Sequence, residues 1–115
     1  SAVYLWRGFH KSSTATASHI LMDDEKELKR IQQQVGQDQK KFAAAAEQYS
    51  TCPSGKQAGG NLGQFKQGSM APPFDQAVFS RHTQVGTVVG PIQTSFGWHL
   101  IFLHERDEQR QLVVN

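Results

Sequence analysis

The chain has 115 residues, 12 of them Lys or Arg against 10 Asp or Glu, for a formal net charge of +2. That length suits one domain with one modest core, and so even a balance argues against nucleic acid or an anionic membrane as an obligatory partner. Apolar residues make up 37%, which excludes wholesale disorder, and no apolar run approaches the roughly 20 residues of a membrane span.

Residues 1–22 carry no Asp or Glu but include Arg7 and Lys11. This bias is shared by organellar transit segments, although a leader or a remnant of a longer chain explains it better. A flexible arm is expected over residues 1–15. Thr16–Met22 alternates and reads as a strand, with Ala17, His19 and Leu21 on one face and Ser18, Ile20 and Met22 on the other. Asp23 or Asp24 then offers a helix N-cap, with Glu27 completing a capping-box pattern. Leu28, Ile31 and Val35 recur at helical spacing and define a helix over Glu25–Val35. A second helix is expected over Gln39–Tyr49, around the Ala-rich Phe42–Ala46.

Ser50 to Gly60 holds Pro53 and three glycines and reads as an irregular stretch. Asn61–Phe65 is a short extended piece. Pro72 and Pro73 suit the start of a helix over Phe74–Phe79. Val88–Gln93 and Gly97–Leu103 read as strands joined by a turn at Thr94–Gly97. The polar chain after Glu105 is expected to fray, which gives a domain over 16–106 and a tail over 107–115. Strands and helices do not alternate strictly, so the pattern predicts an α+β domain with a small, mainly antiparallel sheet.

Several residues have bland and functional readings side by side. His19 and His99, taken singly, suit satisfied structural histidines. Cys52 alone suits a small buried apolar side chain, and Met70 with Phe74 suits a core pair. Spacings among His10, His19, His82, His99 and His104 match no zinc signature. Gly59, Gly60 and Gly63 are not followed by the Gly-Lys-Ser/Thr of a phosphate-cradling loop. With Cys52 as the single cysteine, no internal disulfide can form, which favours a reducing compartment and a cytoplasmic protein.

Three segments taken in order change the balance. They are ASHILM at 17–22, YSTCPSGKQAGGNLGQFKQGSMAPPF at 49–74, and GPIQTSFGWHLI at 90–101. Together they resemble the parvulin-type peptidyl-prolyl cis/trans isomerases over nearly the whole globular part. The resemblance implies a parvulin-like, FKBP-like fold: a four-stranded, mainly antiparallel sheet surrounded by about four short helices. It implies rotation of X-Pro bonds with no metal or organic cofactor, acting on proline-containing peptides or unfolded protein clients. A domain this small is by default a monomer, and its charge balance and short apolar runs leave neither nucleic acid nor membrane as a partner.

Carried over to this sequence, the resemblance makes His19, Cys52, Thr94 and His99 the polar centre, with Cys52 facing the bond that rotates. Leu62, Met70 and Phe74 become the walls of a proline pocket, with Phe65 and Phe96 in its apolar surround. Phospho-specific members place a Lys- and Arg-bearing loop after the first strand. Here Asp23-Asp24-Glu25 follows at once, so no phosphate specificity is expected. Alternatives are a binding module or chaperone with little catalysis, a cysteine hydrolase built on Cys52 and His99, and nucleic-acid binding by the basic arm.

Overall fold

The computed structural model describes residues 13–108. Along the chain run β1 (Thr14–Met22), α1 (Glu25–Val35), α2 (Gln39–Tyr49), α3 (Pro53–Ala58), β2 (Asn61–Lys66), α4 (Pro72–Phe79), β3 (Val88–Thr94) and β4 (Gly97–Asp107). The strands form one antiparallel sheet in the order β2-β1-β4-β3. The chain's first and last strands are therefore its central pair.

Helix boundaries follow local chemistry. Asp24 is extended and its carboxylate accepts the Lys26 N–H at 2.9 Å, which opens α1. Glu27 turns to Arg30 at 3.2 Å instead of closing a capping box. Gly36 ends the helix at a φ of 54°, with its N–H bonded to the Gln32 carbonyl. Asp38 caps α2 in the same way, accepting the Lys41 N–H at 3.0 Å.

Leu28, Ile31 and Val35 are buried on one side of α1, and Phe42, Ala45 and Ala46 on one side of α2. With Ile20, Val88, Leu100 and Phe102 they form one core cluster. On the opposite face, Phe74 and Val78 of α4 pack with Ala15, Ala17, Phe65, Ile101 and Leu103. Both faces of the sheet are thus covered. This is why Ala17, Ser18, His19 and Ile20 are all buried although their side chains alternate.

Three expectations are corrected. Ser50–Gly60 is not irregular, because Pro53–Ala58 forms α3. Pro53 occupies its first position, where a missing N–H costs nothing. Gly55 lets the turn pack against Ser50, whose side chain a Cβ would overlap. β4 also runs past Leu103 to Asp107. Glu105, Arg106 and Asp107 pair with Thr16, Ala15 and Thr14, and the Arg106 guanidinium donates to the Val78 and Ser80 carbonyls at 2.9 and 3.1 Å. Thr14 and Ala15, assigned to the arm, belong to β1. The rest of the expected arm up to residue 12, and the tail from residue 109, lie outside the described residues. Among the described residues no helix is long and apolar enough to cross a membrane.

Candidate active site

His19 and His99 come from neighbouring antiparallel strands. His99 sits opposite Leu21 and His19 opposite Ile101, so the two imidazoles are diagonal neighbours on one face of the sheet. Their rings are nearly parallel at 18°, with centroids 5.2 Å apart, and Nδ1 faces Nδ1 at 3.0 Å. On its other side, His99 Nε2 lies 2.7 Å from Thr94 Oγ1. That oxygen accepts the Phe96 N–H at 3.1 Å, within the β3–β4 turn. Phe74 stands edge-on to both imidazoles, at 5.8 Å from His19 and 5.3 Å from His99.

Two facing Nδ1 atoms can share only one proton, so one ring donates and the other accepts. A second proton would set two N–H groups against each other in a site that leaves His19 only 6% and His99 only 4% exposed. Burial, and then the charge of His99, lower the His19 pKa from 6.5 to about 4. Burial also lowers that of His99. Both rings are neutral at physiological pH.

A depressed imidazole pKa means that the unfolded chain binds the proton more readily. The native state should therefore keep its full stability above pH 6.5 and lose it progressively as pH falls toward 4. The loss from His19 alone approaches about 3 kcal/mol. Urea midpoints at about pH 7 and about pH 4.5 should show a clearly smaller fall in His19→Asn than in the unaltered chain. An equal fall in both would remove the histidine pair as its cause.

These groups open onto a cavity of about 220 Å³ lined by His19, Leu21, Cys52, Leu62, Met70, Ala71, Phe74, Thr94, Phe96 and His99. Drug-sized sites run to roughly 300–1,000 Å³, so this one suits a single ring and its flanking amide. Every residue expected in the site lines it except Phe65. Phe65 lies behind the pocket wall, edge-on to Phe74 at 6.3 Å and within the core. Phe96 stands at the rim, 70% exposed. His104 is elsewhere, bonded through Nε2 to Ser18 Oγ at 2.6 Å, and His10 lies outside the described residues. Among the described residues, no three His, Cys, Asp or Glu side chains converge so as to hold a metal ion.

Some contributors were not legible beforehand. Ser50 is 1% exposed, and its Oγ accepts the N–H groups of both Leu21 and Cys52, at 3.1 and 3.3 Å. It thus fixes the cysteine's loop to the end of β1. Thr51 adds its N–H and hydroxyl to the Leu21 carbonyl. Leu21 shares a strand face with His19, a signal that alternation carried, whereas Ala71 had no signal. A larger cleft of about 350 Å³ lies at the far end of the sheet, lined by Thr14, Gln64, Val85 and Arg106 among others. Arg106, the cation in its lining, is committed to the Val78 and Ser80 carbonyls and to Glu108.

Residues 11–105 match the PPIC-type PPIASE domain family, the rotamases. The chain is 33% identical over 103 residues to the foldase protein PrsA of Oceanobacillus iheyensis, covering 90% of this chain and 33% of that protein. A structure from work on two SurA-like chaperones of Campylobacter jejuni, PEB4 and the periplasmic protein Cj1289, superposes with a TM-score of 0.83. It does so at 30% identity, over 97% of this chain and 48% of that one. NmPin, the parvulin of Nitrosopumilus maritimus, superposes with a TM-score of 0.69 at 34% identity, over 83% of this chain and 99% of that one. The chain spans about a third of the length of the curated relatives it matches. These matches overturn the cytoplasmic expectation: they are to PrsA foldases and to a structure from work that names a periplasmic protein. A single cysteine rules out an internal disulfide in any compartment, so it carries no address.

Proposed function

The chain belongs to the PPIC-type peptidyl-prolyl isomerase domains, the parvulin family, and from that premise we propose that it accelerates X-Pro rotation in extended or unfolded protein segments without phosphate specificity. The task is purely kinetic. The amide barrier is about 18–20 kcal/mol, while the cis and trans forms of X-Pro differ by only about 0.5–1 kcal/mol.

Rotation breaks amide conjugation. The carbonyl loses charge separation and the nitrogen becomes more basic. An apolar cavity disfavours the polar planar amide relative to the twisted one, and that difference lowers the barrier. Leu62, Met70 and Phe74 grip the proline ring, with the flexible thioether of Met70 adapting to its shape. The neutral His19–His99 pair and Thr94 keep the polar side of the cavity fixed, and no proton has to leave the substrate. The observation that carries this reading is a buried, mutually bonded histidine pair facing an apolar, ring-sized cavity.

Cys52 acts through the polarity of its thiol beside the substrate carbonyl, without forming a covalent bond. Cys52→Ser is therefore expected to keep at least about a tenth of the turnover, where loss of a nucleophile would cost on the order of a thousandfold or more. Single-turnover exchange measurements on the two proteins separate these outcomes.

Specificity is read from the strand end. Asp23 and Asp24 are exposed and follow directly after Leu21 and Met22, so a phosphate before the proline would meet like charge. The chain works on protein clients, as a monomer and not on nucleic acid. Two-dimensional NMR exchange on tetrapeptides with Leu, Lys, Glu or phosphoserine before proline tests the proposal. Faster exchange for Leu and Lys is expected, and much less for phosphoserine. Fastest exchange for phosphoserine would end the specificity claim. Binding with no faster exchange for any peptide would leave a chaperone-like module in place of an enzyme.

A further inference from the structure

The two edges of the sheet are finished differently. At the β3 edge, the Val88 N–H donates to Gln37 Oε1 at 2.7 Å, and Gln32 Nε2 donates to the Gly90 carbonyl at 3.0 Å. Pro91, the next residue, has no N–H to offer. That edge is closed by side chains from α1 and the turn after it. At the opposite edge, among the described residues, β2 pairs with β1 alone.

The register identifies which β2 groups face outward. The Gln67 N–H donates to the Ser13 carbonyl at 2.8 Å, which makes Ser13 and Gln67 a hydrogen-bonded pair. Antiparallel alternation then makes Ala15–Phe65 bonded, and Thr14–Lys66 and Thr16–Gln64 non-bonded. The N–H groups of Gln64 and Lys66, and the Gln64 carbonyl, therefore point away from β1. The Lys66 carbonyl is taken by the Ser69 N–H. Gln64 and Lys66 are exposed. The edge is also continuous with the pocket, because Leu62 lines the cavity two residues before Gln64. Between them Gly63 has a φ of 73° and open space where a Cβ would stand.

We infer that the β2 edge receives the client's own backbone, as an added strand flanking the proline. The inference rests on the reading that the pocket holds that proline. The residue before a proline is biased to extended conformation, so a segment seated in the pocket already presents strand-like backbone beside it. Strand addition draws its affinity from main-chain hydrogen bonds and so tolerates varied sequence. The pocket then supplies the selection for proline, and the edge supplies sequence-blind grip.

The test compares an X-Pro tetrapeptide with two decamers that extend the same X-Pro core to its N- or C-terminal side, on the full chain. At least one decamer is expected to slow hydrogen exchange at the Gln64 and Lys66 amides. The same decamer should lower KM about tenfold, the worth of two or three main-chain hydrogen bonds. Backbone N-methylation within the extension should abolish both effects. Gln64→Pro should remove the decamer's advantage while tetrapeptide turnover stays within about twofold, since an edge strand accepts proline where its N–H faces solvent. If that variant does not fold, the N-methylated decamers on the unaltered chain decide alone.

Equal KM for all peptides, or a decamer gain with Gln64 and Lys66 amides unprotected, overturns the inference. So does protection that follows protein concentration rather than peptide, which would mean that a second copy occupies the edge. Tetrapeptide turnover is scored separately. Its absence sinks the isomerase reading, while edge protection by a decamer is still read by exchange.

Discussion

Gly60→Ala is expected to cost about 2–4 kcal/mol of stability, and to take the active site with it. Gly60 has a φ of 85°, a conformation that L side chains rarely adopt, and a Cβ there would overlap the carbonyl oxygen of His19. The neighbour is backbone, so no side-chain rotation relieves the clash. The same residue's carbonyl accepts the His19 N–H at 3.0 Å, so any shift that makes room also moves the strand position that carries one imidazole. Left-handed strain accounts for about 1 kcal/mol or more and the overlap for about 1–3 kcal/mol. Gly63→Ala is the matched control: its φ is also positive, at 73°, but open space surrounds it. It should cost only the strain. Urea unfolding of both variants gives the comparison, and equal losses would show that the approach to His19 is not what Gly60 serves.

Met70→Ala is expected to lower kcat/KM by roughly 10–100-fold with little loss of stability. Met70 lines the cavity and is only partly buried, packed against the edge of the core that Phe74 anchors. Truncating it removes one wall of the ring-sized cavity and admits water beside the amide. Phe74→Ala would be less informative, because Phe74 is 3% exposed and its loss would also open the core. Exchange spectroscopy at several peptide concentrations separates the two kinetic constants. An unchanged kcat/KM would move the proline elsewhere, and with it the inference drawn for the β2 edge.

Most of this fold and site could be read from the chain because the signals were local or repeated. Alternation put His19 and Leu21 on one face, and acidic caps with periodic Leu28, Ile31 and Val35 marked α1. What escaped were effects of tertiary context. The α3 segment contains Pro53 and Gly55, which read as breakers. They become a helix start and a close-packing position where Ser50 lies against Gly55 and holds the Cys52 N–H just before Pro53. β4 continues through Glu105, Arg106 and Asp107 since β1 pairs with all three. Leu62 and Phe65 both side with the α4 face although they are three residues apart, because the register shifts between Thr16 and Ser18. Gly63, at a φ of 73°, sits within that shift, which carries Phe65 beneath Phe74 instead of into the cavity.

The pairing of the first strand with the last has a kinetic consequence. The imidazoles that meet at 3.0 Å are 80 positions apart in the chain, and the sheet's central pair joins Thr14 to Asp107. Contacts of such high sequence separation must pay their loop-closure entropy before they reward it, and they fold slowly. A nascent chain that has not yet delivered β4 can form α1 and α2 but has no histidine pair and no pocket. Activity thus arises only once the whole domain is available, and a client met earlier finds nothing that can turn its proline.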